Sequence, residues 1–266
     1  MGKILAARTD NRAGFVAEAF KRLWHSVPEG PVLIKPNIVS HEPYPTTTHP
    51  DTLDAVLSNL SGRELLVADA SAADLMRPGK ALRQHELAAV CNRHGLELID
   101  LYDRPMSEQE AKSGVKLDLS DEPSRMSSMI SLPVFKTHIQ CMITGALKNH
   151  FGLLGRAQRG KLHFGRTDIH KAIASLHQLV RADLYIVDAV KTLTNANEVR
   201  HGGRETELGY MFAGRDPVAL DSFGLGLLAE IDPKLKGKKP ADIPHIHYAA
   251  EWGVGSIEHE VEWIEL

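Results

Sequence analysis

Short apolar runs alternate with amphipathic stretches along most of the chain. Lys3 to Arg8 (KILAAR) reads as a first strand. Arg12 to His25 carries Phe15, Ala19 and Leu23 at helical spacing, with Asp10 or Asn11 as the cap. Pro31 to Ile34 reads as a buried strand, and Pro50 opens a helix over Asp51 to Leu60. Glu64 to Ala68 is the next strand, Gly79 to His94 a helix and Leu96 to Leu101 a strand. This alternation predicts an α/β fold with a mainly parallel or mixed sheet and helices on both faces. Residues 1–266 are expected to form a single domain, with any division into two lobes falling near 125–130.

The second half is less regular. Asp103 to Arg125 is polar, with one short strand expected at Val115 to Leu119. Met129 to Val134 is apolar. Thr144 to Leu154 has helical spacing, with Leu147, Phe151 and Leu154 on one face and Lys148 and Gly152 side by side on the next. If the amino end of that helix faces the ligand, its free N–H groups would add to the lysine charge. Gly155, Gly160 and Gly165 suggest a loop. Thr167 is the expected cap of a helix striped by Ile169, Ile173, Leu176 and Val180, and His170 lies in its first turn. A charged histidine is disfavoured at that helix end, so a neutral His170 fits better. Leu184 to Val187 reads as a strand ending at Asp188, followed by a polar loop, Lys191 to Arg204, holding Gly202 and Gly203. A strand at Leu208 to Ala213 leads to Asp216-Pro217, a cap and first-turn proline for an apolar helix, Val218 to Glu230, interrupted by Asp221. A last helix, Ile246 to Gly253, and a last strand, Val261 to Leu266, complete the series.

Charge changes this picture in one place. Ser131 to Lys171 holds Lys136, Lys148, Arg156, Arg159, Lys161, Arg166 and Lys171 and four histidines against one acid, Asp168, in a chain of net charge -3. Either this segment gathers an anionic ligand, or it is a solvated face whose acids come from elsewhere. Lys35 and Asn37 stand where a strand runs into Pro36, at the end where open α/β sheets bind ligands; the alternative is a turn with a solvent lysine. Asp69 follows an apolar strand, as a ligand contact or a helix cap. Asp221 is costly inside an apolar helix unless a metal, a backbone amide or an arginine meets it.

No phosphate-binding GxxxxGK[ST], no GxGxxG after a strand, no GxSxG, no HExxH and no CxxC is present. In GRAQRGK, Leu162 stands where a magnesium-reaching hydroxyl is needed. Two cysteines exclude a disulfide framework and an iron–sulfur cluster held by this chain alone. No apolar run is long enough to cross a bilayer, and the first residues lack a signal-peptide core, so a cytoplasmic location is expected. The negative net charge and 6% aromatic content speak against nucleic acid.

The segments VLIKPN, LPVFKTH, TGALKNHFGLLG, KLHFG, LYIVDAV and FAGRDPVALD, in that order, resemble the bacterial and archaeal domain-of-unknown-function family 362 over roughly Val32 to Gly255. The motif residues carried over are Lys35, Asn37, Lys136, His138, Lys148, Asn149, Gly152, His163, Asp188, Asp216 and Asp221. Many members carry a ferredoxin-like cysteine cluster, which implies redox partners; this chain departs from them, having only Cys91 and Cys141. Relatives also tend to show a Gly-Pro pair where this chain has His201-Gly202-Gly203. A similarity in style, without an alignable motif, links the chain to lactate-racemase-type α/β enzymes, which use histidine bases and a lysine-held cofactor.

The resulting expectation is an enzyme that binds a small carboxylate or phosphate in a Lys/His-rich cleft. Its catalytic candidates are His138, His163, His170 and Lys148. Its ligand contacts are Lys35, Asn37, Asp69, Lys136, Asn149, Gly152, Gly202 and Gly203. A divalent metal would be held by His138 or His163 with Asp188 or Asp221. The second reading is a redox-accessory or cofactor-binding protein without the cluster. A homo-oligomer is compatible with either.

Overall fold

The structure is a computed structural model describing residues 1–25, 27–75, 78–165 and 167–266. Arg166, one of the basic residues noted above, lies outside the described residues. In chain order the strands are β1 (Gly2–Arg8), β2 (Val32–Lys35), β3 (Leu65–Asp69), β4 (Leu98–Asp100), β5 (Met106–Glu110), β6 (Lys116–Ser120), β7 (Ser128–Ser131), β8 (Lys136–His138), β9 (Met142–Thr144), β10 (Leu184–Thr194), β11 (Arg204–Gly214) and β12 (His259–Trp263). The α-helices are α1 (Arg12–Leu23), α2 (Pro50–Asn59), α3 (Pro78–Arg83), α4 (Glu86–Arg93), α5 (Glu122–Arg125), α6 (Ala146–Asn149), α7 (Arg156–His163), α8 (Ile169–Leu179), α9 (Pro217–Ile231) and α10 (Pro244–Glu251).

Eight strands form one sheet in the order β12-β1-β11-β10-β7-β2-β3-β4. Neighbours are parallel except that β11 runs against both β1 and β10. The mainly parallel α/β architecture is therefore as expected. Side chains alternate between the two faces with the period of a strand. Leu5, Ala7, Val32 and Ile34 pack with Phe15 and Val16 of α1, Leu53 and Val56 of α2 and Leu87 of α4. Ile4, Ala6, Leu33 and Val187 pack with Leu147 of α6, Ile173 of α8, Leu220 of α9 and Ile246 of α10. A parallel sheet covered on both faces needs apolar residues on both, which is why its strands read as unbroken apolar runs.

The chain passes from β2 outward through β3 to β4, then returns to place β7 on the other side of β2. That reversal is a topological switch point, and the loops beyond the carboxyl ends there diverge to leave a crevice.

Several elements differ from expectation, each for a local reason. The helix expected over 79–94 is two, because the His85 ring accepts from the Leu87 N–H and starts α4 afresh. β5 has no apolar alternation to announce it; its sequence, MSEQE, is polar and pairs with β6 in a partly exposed hairpin. The region 144–154 is a short α6 and a 3-10 turn, His150–Leu153, preceded by the β8–β9 hairpin. The glycine-broken stretch after it is helix α7. Asp168, not Thr167, caps α8 by accepting from the N–H groups of His170 and Lys171. β10 does not stop at Asp188 but continues to Thr194, pairing with β11 so that both ends of the expected 191–204 loop belong to a two-stranded ribbon.

Candidate functional site

Beyond the carboxyl ends of β2 and β3 lies a cavity of about 870 Å³, roofed by the β8–β9 hairpin, α6 and α7. Of the residues singled out in the sequence, Lys35, Asn37, Asp69, Lys136, His138, Lys148, Asn149, Gly152 and His163 all line it.

Its floor is an ion pair. Lys35, the last residue of β2, donates to Asp69, the last residue of β3, at 2.6 Å and to the Pro36 carbonyl at 3.0 Å. The other Asp69 oxygen accepts from the Ile38 N–H at 2.6 Å. Both side chains are buried, and burial lowers the Lys35 pKa despite Asp69. Gly152 lies against this pair: a Cβ there would stand 2.1 Å from Asp69 Oδ1 and 2.8 Å from Lys35 Nζ.

The β8–β9 hairpin supplies Lys136 and His138. Two residues apart on one strand, they face the same way. Thr137, between them, turns away and donates to Asp232. Lys136 is fully buried and donates to the Thr46 carbonyl. Loss of hydration pushes its pKa down to about 7, with the Lys148 charge adding to that and Glu198 and Glu42 opposing it. Lys148 of α6 is pushed down to about 8, again chiefly by burial; its ammonium lies 3.9 Å from the centre of the Phe151 ring.

The hydrogen bonds of the two histidines set their tautomers. His138 Nδ1 accepts from the N–H groups of Gln140 and Cys141, both at 3.1 Å, so the ring proton belongs on Nε2. Burial and neighbouring cations hold its pKa well below the ordinary value, so the ring is neutral and Nε2–H is a donor. His163, exposed at the mouth, is arranged the other way. Gln140 Nε2 donates to the His163 carbonyl, which leaves Gln140 Oε1 to accept from His163 Nδ1–H at 2.9 Å. His163 Nε2 therefore keeps its lone pair. Lost hydration, then the charges of Lys148 and Arg159, push its pKa down to about 4.

The acids lining the cavity are already engaged. Asp69 pairs with Lys35. Asp74 and Glu198 both pair with Arg200, at 3.0 and 2.7 Å. Among the described residues Lys136 and Lys148 form no ion pair, so buried positive charge is left over.

Other candidates are placed elsewhere. Asp188, lying inside β10 and not at its end, accepts from Arg12 at 2.7 Å, Tyr44 at 2.6 Å and Thr52 at 3.1 Å, away from the cavity lining. Asp221 reaches across from α9 to accept from the Ala146 and Leu147 N–H groups at 2.6 and 3.1 Å. It thereby occupies the amino end of α6, so those N–H groups do not face a ligand as the sequence suggests. Burial pushes Asp221 up to about 7. His170 packs against the buried His245, their Nδ1 atoms 3.4 Å apart, outside the cavity lining. Gly202 and Gly203 turn the chain between β10 and β11; Gly202 adopts a φ of +88°. The expected grouping of His138 or His163 with Asp188 or Asp221 around a metal is not formed. Both carboxylates are held by other elements, and His138 has no lone pair to offer. Among the described residues no three His, Cys, Asp or Glu side chains converge as ligands.

Arg159 belongs to a helix and not to a loop. On α7 its guanidinium turns inward, donating to the carbonyls of Ala70 and Ser71, each at 2.9 Å, and to the Tyr102 hydroxyl at 2.7 Å, while its buried Nε has no partner among the described residues. The i, i+3 spacing of Arg156 and Arg159 is the signal the sequence offers for it. Asn197, Glu198 and His201 also line the cavity and carry no local signal.

The profile of the family described as Domain of unknown function (DUF362) matches residues 32–226. The chain belongs to this family. The match spans β2 to α9 and so includes every lysine and histidine of the cavity. No curated protein matches the sequence. Among solved structures, the lactate racemase apoprotein of Thermoanaerobacterium thermosaccharolyticum is similar, with a TM-score of 0.50 and 12% identity. The similarity covers 81% of this chain and 54% of that one, so the chain spans about half the length of the racemase. A protein from Thermotoga maritima is similar with a TM-score of 0.45 and 10% identity over 71% of this chain and 52% of its own. What the racemase apoprotein shares with this chain is the α/β fold. No helix among the described residues is long and apolar enough to cross a membrane.

Proposed function

We propose that the cavity binds an anion, a carboxylate or a phosphate, and moves a proton on it. The observation that carries this reading is the pair of buried lysines, Lys136 and Lys148, left without a carboxylate while each acid of the cavity is held by another cation. Buried ammonium groups are costly unless something opposite in charge arrives. A bound anion supplies that charge and restores both lysines to the protonated form. The racemase with a similar fold is named for acting on lactate, itself a small carboxylate, which is compatible with this ligand class.

The proton-transfer part rests on complementary tautomers. His138 Nε2–H can donate to a ligand oxygen, and His163 Nε2 can take up a proton. Neither role needs a change in its present hydrogen bonds.

The test is a thermal-shift titration with phosphate, sulfate and small carboxylates at matched ionic strength. The wild type should gain melting temperature with at least one of them, and Lys136→Met and Lys148→Met should lose that gain. A wild type indifferent to every anion would end the proposal. For proton transfer, proton–deuterium exchange at the carbon next to the carboxylate of the tightest-binding acids is followed by NMR. His163→Gln should abolish exchange while binding persists; exchange unaffected by His163→Gln would remove the assigned base.

A further inference from the structure

Building on that anion site, we infer that its ligand is amphipathic, with a single phosphate or carboxylate head at the lysines and an apolar body running to the mouth.

The volume of the cavity far exceeds that of a bare anion. Inorganic phosphate displaces roughly the volume of a few waters, at ~30 Å³ each. It would fill only a small part of about 870 Å³. Pockets of that size hold organic ligands, with apolar walls and a few polar groups that fix orientation.

Depth separates charge from apolar surface. The lysines are shielded from water: Lys136 is 0% exposed and Lys148 8%. At the mouth two apolar residues of the same cavity face water, Ile139 at 63% and Phe164 at 86%. Phe151, whose ring lies against the Lys148 ammonium, and Ile38 are buried in the same lining. The buried part of the cavity thus carries lysines without a carboxylate, and its exposed rim offers apolar surface. A phenyl ring and a branched aliphatic chain exposed on one rim mark a surface that binding covers.

The outer wall offers a polyanion few cations. Multiple phosphates would need cations along it. Of the two exposed Lys or Arg residues in the lining, Arg156 is engaged with the carbonyls of Ala73 and Leu75, which leaves Lys161. Asp74, exposed in the same lining, is paired with Arg200 and adds no positive charge there.

The experiment is calorimetric titration at pH 7 with n-alkyl phosphates and n-alkyl carboxylates of two to eight carbons, below micelle formation. Inorganic phosphate and the corresponding alcohols serve as references. Affinity should rise with chain length, up to about fourfold per methylene if each is fully buried. The slope should flatten in the double variant Ile139→Ser/Phe164→Ser, both positions being exposed and tolerant of the change. If inorganic phosphate binds but longer chains bind no tighter, the amphipathic ligand is refuted and the anion site stands. A slope that survives in the double variant refutes it too, since the apolar rim is then not the surface used. If alcohols bind as well as phosphates, or nothing binds, the anion site falls and this inference falls with it.

Discussion

Replacing Lys136 by methionine should make the protein more stable near neutral pH and leave it little changed at high pH. The side chain is fully buried, and burial takes its pKa from 10.5 to about 7. At ~1.4 kcal/mol per pH unit, the penalty carried by the folded ammonium is bounded at roughly 5 kcal/mol. Because the folded pKa lies below the unfolded one, the unfolded chain holds more protons between pH 7 and pH 10.5. Stability conferred by this group therefore rises as pH rises across that window, by at most ~1.4 kcal/mol per pH unit, and is flat below pH 7. Methionine has similar length and no charge, so the variant lacks this slope. Against the gain stands the hydrogen bond to the Thr46 carbonyl, worth about 1 kcal/mol, whose acceptor keeps a contact from Asn37 at 3.4 Å. The net expectation is a variant roughly 2–4 kcal/mol more stable than wild type at pH 6, the difference shrinking to nothing or reversing by pH 10. Urea unfolding of both proteins at intervals from pH 6 to pH 10, without added anions, measures it. A variant less stable than wild type by the same amount at every pH would mean that Lys136 is a charged structural anchor, and the unmet charge inferred for it would not exist.

Anion binding should take up protons. At pH 8 Lys136, with its pKa at about 7, is mostly neutral and Lys148, at about 8, half so; titrations in buffers of different ionisation heat should show uptake of about one proton, with affinity falling at higher pH. Gly152→Ala should destabilise the fold by roughly 3–5 kcal/mol in chemical denaturation, because its Cβ would force the buried Lys35–Asp69 pair apart. Asp188→Leu should cost a similar ~3–5 kcal/mol by leaving Arg12 buried and unpaired. Tested at a temperature where the variant stays folded, it should bind anions as the wild type does; lost affinity with intact folding would return Asp188 to the site.

Local pattern determined the framework of this protein and the residues at the tips of its strands. Val32 to Ile34 and Leu65 to Ala68 are apolar runs whose ends are visible in one dimension, so Lys35 and Asp69 could be placed at carboxyl ends before any tertiary information. Parallel strands then bring such ends together as a matter of architecture. The extent of β10 was not local in this sense. Its continuation past Asp188 depends on antiparallel pairing with β11, and that extension moves Asp188 from a strand tip into a cluster with Arg12, 176 residues away. α7 was equally hidden, since its glycines read as breaks while the buried faces of Arg159 and Leu162 exist only against the rest of the fold. Tertiary structure alone decided which charges cancel. Lysine and carboxylate were both evident in the sequence, but whether Asp69 met Lys35, or Asp221 met a backbone amide, is a question of contacts between segments far apart in the chain. Those contacts consume the acids and leave Lys136 and Lys148 buried without a carboxylate among the described residues, which is what the proposed anion site rests on. The histidine tautomers have the same origin, because the hairpin turn after β8 and the side chain of Gln140 orient both rings.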